Sequence, residues 1–223
     1  MSSSWARQLR WFAGAAVAAF LVPLVFSSLL DLDHDLYLAI YFSFVIGLVT
    51  LYTRSTELDI GDVIRRNWRW GLVAGAIVGV PVVRNVFTET ETARPDGLYF
   101  GFELLWRGAT YGAIDAVLLT VLPCLIVYRA LGGPLGTWPR RTAYFGVSLI
   151  LVMTITAAYH LGYEQFRDDG VGDPETGNVL MSLPMLLTTN PIGSIVDHSA
   201  MHIAAVIHEY EGDTRLPPQA DAE

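Results

Sequence analysis

Runs of about twenty apolar residues recur along this 223-residue chain, and nothing else in it restricts the fold so strongly. A helix rises about 1.5 Å per residue, so roughly 20 apolar residues match the hydrocarbon thickness of a bilayer. Such runs span Trp11 to Leu30, Leu36 to Tyr52, Trp70 to Val86 and Tyr144 to Leu161. A longer one, from Leu98 to Leu131, would reach roughly 50 Å as a straight helix. It must tilt, extend into water, or break near Gly108–Gly112 or Pro123. Arg7 and Arg10 precede the first run as in a signal peptide, but the run is long and no A-x-A cleavage pattern follows. It therefore reads as a span. The last apolar region is divided at Asn190-Pro191. Val179 to Thr189 is too short to cross alone, whereas Pro191 to His208 is long enough, with Pro191 opening the helix.

The expected fold is therefore all-α. It is a polytopic helical membrane protein with about six transmembrane helices and a short or re-entrant helix before the last span. Residues 1–208 form one integral membrane domain, and 209–223 a solvated acidic C-terminal tail. Charged residues make up only 16% of the chain, against about 25% in a soluble domain, which excludes an ordinary soluble globule. The net charge of −8 makes the chain a poor partner for nucleic acid, whose phosphates it would repel. Membrane lipid is the partner the runs require; oligomeric state is not readable.

Loop charges orient the chain. Arg7 and Arg10, then Arg54, Arg65, Arg66 and Arg69, then Arg129, Arg140 and Arg141 occupy alternate connections. The intervening ones are acidic: Asp31 to Asp35, the Glu89/Glu91/Asp96 segment, and Glu164 to Glu175. The positive-inside rule places the N-terminus in the cytoplasm, as in an integral protein of a prokaryotic plasma membrane. Trp11, Trp68, Trp70 and Trp138, near span ends, read as interfacial anchors. Gly71, Gly75 and Gly79 make small-xxx-small steps suited to close helix packing. The single cysteine, Cys124, lies in an apolar run and reads as a small buried hydrophobe.

An ionisable group in hydrocarbon is costly, so those inside spans are functional candidates. Glu103 and Arg107 are spaced i, i+4 in the favourable order for a helical ion pair. They either stitch the helix to its neighbours or hold an ionised carboxylate ready to polarise water or bind a metal. His198 and His202 share a helix face, at the spacing of helical zinc ligands, although Ser199-Ala200 replaces the acidic step of H-E-x-x-H. His160 closes the fifth run. With the last helix entering from the acidic side, Glu103, Arg107, His160 and His198 fall at similar depth. Asp115, about three turns below Glu103, faces a polar interior or Arg129. Asp197 points away from His198, and His34 and His208 sit at membrane edges.

Three short strings carry a resemblance. Phe102-Glu103-Leu104-Leu105-Trp106-Arg107-Gly108 resembles the E-E-x-x-x-R-G signature of the CAAX-protease and bacteriocin-processing family of intramembrane peptidases. Thr156 to His160, followed by Leu161-Gly162, is similar to its F-x-x-x-H motif, and Ile195 to His202 to its H-x-x-x-N motif. Phe102 stands in place of the family's first glutamate, Thr156 of its phenylalanine and His202 of its asparagine. The resemblance implies a glutamate/histidine-type peptidase cutting a membrane-proximal peptide bond in a peptide or protein substrate. Glu103 or His160 would activate water, Arg107 would position the carboxylate, and His198 with His202 would stabilise the oxyanion. Two other readings compete. A divalent metal such as zinc, held by Glu103, His160, His198 and His202, would make the chain a membrane metal-binding enzyme or transporter. A degenerate polar core kept only for packing would make it a non-catalytic scaffold.

Overall fold

The computed structural model describes residues 5–212 and 215–217. Among them the chain is all-helical, with no strand. In chain order the helices are α1 (Trp5–Leu29), α2 (His34–Thr56), α3 (Ile60–Arg65), α4 (Trp68–Val86) and α5 (Gly97–Ala130). They continue as α6 (Trp138–Leu161), α7 (Glu164–Asp169), α8 (Gly172–Thr188) and α9 (Ile192–His208). Four of these, α1, α2, α5 and α6, are long and apolar enough to cross a membrane. The expected count of six crossings is thus not confirmed.

Local chemistry sets the helix ends. The Asp33 carboxylate accepts from the amides of Asp35 and Leu36 at the start of α2, and that of Asp59 accepts from Asp62 in α3. Pro191 precedes α9, as its fixed φ favours. Thr189 ends α8 at φ 57°, an unusual conformation for a β-branched residue. The long helix α5 does not break. It absorbs its length in two π-helical stretches, Leu104–Thr110 and Val117–Val121, the first of which contains Gly108.

The final helix runs opposite to expectation. Asn190, just before α9, donates through its side-chain amide to the carbonyls of Val63, Ile64 and Arg66, at the arginine-rich end. His208, at the far end of α9, accepts through its carbonyl from the Thr92 amide at the acidic end. The reason lies in α8. It is 17 residues long because its polar first turns, from Gly172, continue into the apolar segment beginning at Val179. It therefore traverses the bundle and delivers the chain to the opposite end. In consequence α9 runs parallel to α4. A Cβ on Gly71 would lie 2.9 Å from the Asn190 side chain, one on Gly75 2.5 Å from the Gly193 carbonyl, and Gly79 faces Asp197. The glycine stripe lets these two backbones touch.

Trp68, Trp70 and Trp138 are exposed at the arginine-rich end, whereas Trp11 is half-buried, edge-on against Tyr52, and Cys124 is fully buried. The tail is not wholly solvated. The Arg215 guanidinium pairs with the carboxylates of Glu209 and Glu89, and Leu216 is buried against Val86 and α9. Residues 213–214 and 218–223 of that tail lie outside the described residues.

Candidate active site

Helices α4, α5, α6, α8 and α9 enclose a cavity of about 850 Å³. Its walls carry His160 from α6, His198 and His202 from α9, Asp115 and Tyr111 from α5, and Asn178 from α8. Apolar residues of α4, Ile77 to Val82, form one side, and Arg215 to Pro217 lie at its acidic-end mouth. The three histidines singled out in the sequence thus meet, although α9 enters from the other end. His198 and His202 sit near mid-helix, so reversing the helix leaves their depth almost unchanged.

Each ring has a different setting. His160 donates from Nδ1 to the Thr156 carbonyl at 2.9 Å, one turn back on α6. That leaves its Nε2 as a lone pair at the cavity wall. His198 is fully engaged. Its Nδ1 faces the Ser194 carbonyl at 2.8 Å and the Asp197 carboxylate at 3.2 Å, and its Nε2 donates to the Asn178 carboxamide oxygen at 3.0 Å. Asn178 also accepts from Thr120 at 3.1 Å and donates to Thr156 at 2.5 Å, so α5, α6, α8 and α9 are tied through one side chain. Asp197 therefore reaches the neighbouring ring that helix phase alone turned it away from. His202 is buried at 2% exposure, and among the described residues neither of its nitrogens has a hydrogen-bond partner. Its Nε2 lies 3.7 Å from Asp115 Oδ2, and its ring packs edge-on against Tyr111.

Asp115 does not pair with Arg129. It accepts from the Tyr41 hydroxyl at 3.0 Å, and Arg129 donates instead to the Thr56 carbonyl. Next to it lies a knot of buried phenols. Tyr37, Tyr159 and Tyr163 are mutually within hydrogen-bond reach, at 2.5, 2.7 and 3.5 Å, and Tyr111 joins Tyr159 at 3.1 Å. The sequence carries no signal for this knot, because Tyr37, Tyr111 and the Tyr159/Tyr163 pair come from three separate segments.

Glu103 and Arg107 form an ion pair, Oε2 to Nε 2.6 Å, with Glu103 fully buried. The guanidinium also lies 3.7 Å from Asp35 and over the Tyr210 ring. Neither residue is on the cavity wall. The physical reason is helix rise: 12 residues of α5 separate Glu103 from Asp115 by roughly 18 Å. The expected juxtaposition of Glu103 with the histidines is therefore not what the bundle provides. Among the described residues no group of three or more His, Cys, Asp or Glu side chains is arranged to hold a metal ion. The four-ligand set fails on two counts, since Glu103 is elsewhere and both His198 nitrogens face protein acceptors.

No protein-family model matches the chain, and neither does any curated protein or solved structure.

Proposed function

We propose that the chain is a membrane-embedded hydrolase of the peptidase type that its motifs resemble, with its acid–base machinery moved along α5 from Glu103 to Asp115. The observation that carries this reading is the meeting of two imidazoles with free nitrogens, His160 and His202, on one cavity beside a carboxylate. His160 Nε2 takes a proton from water as the new C–O bond forms at the substrate carbonyl. His202, as an imidazolium whose Nε2–H faces Asp115, donates from Nδ1 to the developing oxyanion. The proton on His160 then passes to the leaving amine as the C–N bond breaks. His198, with no free nitrogen, positions the wall through Asn178 instead of touching substrate. Glu103 and Arg107 clamp the acidic end of α5.

The bundle crosses the membrane seven times in this reading. α4, α8 and α9 each run between its two ends and supplement the four longer spans. The N-terminal arginines lie on the cytoplasmic side, and the cavity mouth, at Arg215 to Pro217, lies on the other. The setting is a prokaryotic plasma membrane, and the substrate is a peptide bond close to the membrane surface.

The test uses the full chain in lipid nanodiscs, with a mixture of quenched-fluorescence peptides that each carry an apolar anchor. Cleavage that His160→Ala and His202→Ala abolish, with thermal unfolding unchanged, is the expected result. Cleavage that survives both substitutions, or no cleavage by the wild-type chain across the mixture, overturns the reading in favour of a scaffold.

A further inference from the structure

A second cavity, of about 710 Å³, lies at the arginine-rich end, far from the histidines. It is bounded by the start of α6, the end of α8 and the turn between α3 and α4. Its character is divided. Arg66 and Arg141 line one part, while Phe145, Gly146 and Leu187 line another that faces outward from the bundle. Leu187 is 70% exposed, and a Cβ built on Gly146 would meet nothing within 4 Å. An open apolar channel therefore leads away from the two guanidinium groups. Trp138, 80% exposed, stands at the rim, as a tryptophan does at the headgroup level of a bilayer.

One of the two charges at this cavity is compensated and the other is not. Arg66 shares Asp62 at 2.5 Å and donates to Tyr128. Arg141 donates from Nε to the Leu135 carbonyl, and among the described residues no carboxylate pairs with it. A guanidinium offers five N–H donors in a planar fork that matches a phosphate, and this one uses a single donor. An uncompensated guanidinium beside an open apolar channel, at the level of a tryptophan belt and with Arg66 next to it, is complementary to one kind of molecule. That molecule carries a phosphate monoanion on acyl chains.

We propose that this cavity binds an anionic phospholipid. Its phosphate rests on Arg141 and Arg66, and one acyl chain lies over Gly146, between Phe145 and Leu187. The proposal rests on the membrane placement given above and is independent of the hydrolase chemistry. A chain recovered from cells without detergent would undo the placement, whereas the titrations below test the lipid site alone.

The full chain, purified in detergent and stripped of lipid, is titrated with dioctanoyl phosphatidylglycerol, dioctanoyl phosphatidylcholine and inorganic phosphate. Bound lipid is read by native mass spectrometry and by the part of the tryptophan fluorescence change that Trp138→Phe removes. Phosphatidylglycerol is expected to bind at least several-fold more tightly than phosphatidylcholine. Arg141→Gln is expected to weaken phosphatidylglycerol about tenfold and to leave phosphatidylcholine unchanged. Gly146→Phe, which fills the channel, should weaken both lipids. Both sites are exposed, so thermal unfolding should stay within a few degrees, and Arg141→Ala serves should Arg141→Gln not fold. Equal binding of the two lipids, wild-type affinity in both variants, or displacement by phosphate at the lipid's own concentration would overturn the site.

Discussion

Asp115 Oδ2 and His202 Nε2 face each other at 3.7 Å between α5 and α9, and the carboxylate's other oxygen accepts from Tyr41. This couple aligns a buried histidine of the cavity wall that lies beside the Arg215 backbone at the mouth. Asp115→Asn keeps an acceptor for Tyr41 but removes the charge facing the ring. Turnover of anchored peptides should fall about 10²-fold or more, since positioned acid–base groups contribute on that scale. A kcat that stays within twofold of wild type would show that the couple is structural.

Glu103 and Arg107 are predicted to matter for folding. Removing one member of a buried ion pair leaves an uncompensated charge and costs about 3–5 kcal/mol. Glu103→Leu and Arg107→Met should each destabilise by that order, while the double variant should lose much less than their sum. Equilibrium unfolding of all four chains in mixed micelles measures the coupling. Strict additivity would show that the two residues do not act as a pair.

The glycine stripe makes a sharper contrast. A Cβ at Gly75 would press 2.5 Å from the Gly193 carbonyl, so Gly75→Ala must part α4 from α9 and cost about 1–3 kcal/mol. Gly47, in α2, has nothing within 4 Å of a built Cβ. Gly47→Ala should be neutral or gain up to about 1 kcal/mol from helix propensity. Equal melting temperatures for the two variants would argue against the parallel α4–α9 contact.

Arg215 straps the tail across the cavity mouth through Glu89 and Glu209. Arg215→Ala should release it, with faster hydrogen exchange in peptides covering 208–217. It should also speed thiosulfonate labelling of H160C, for which the fully buried Cys124 gives little background. Unchanged exchange and labelling would show that Leu216 alone holds the strap.

Apolar run length and arginine distribution made the helices and the charged ends legible in the sequence, because lipid allows few alternatives to a helix. The direction of α9 was not legible. It depends on α8, whose first turns place Gly172, Asp173 and Asn178 in a helix that hydropathy begins only at Val179. Asn178 is polar there because it holds His198, so the residue that builds the site also hides the helix. The histidines were legible from spacing and motif. Asp115 was set against a polar interior or Arg129 and not against its actual partners, since Tyr41 and His202 come from 74 residues before it and 87 after it. Glu103 was drawn into the cluster by its motif, because a string records order along a helix and gives no depth.

The tyrosine knot has a consequence for what the cavity can receive. A phenol carries one hydrogen to give. Tyr37, Tyr159 and Tyr163 satisfy their triangle when each gives its hydrogen to the next, in a closed circuit. Tyr111 then has only one role left, giving its own hydrogen to Tyr159. Its oxygen, on the cavity wall, is left with lone pairs alone. With the circuit closed in that sense, this stretch of wall welcomes an amide N–H or an ammonium group and turns away a carbonyl, so a guest is sorted by which end of its amide it presents.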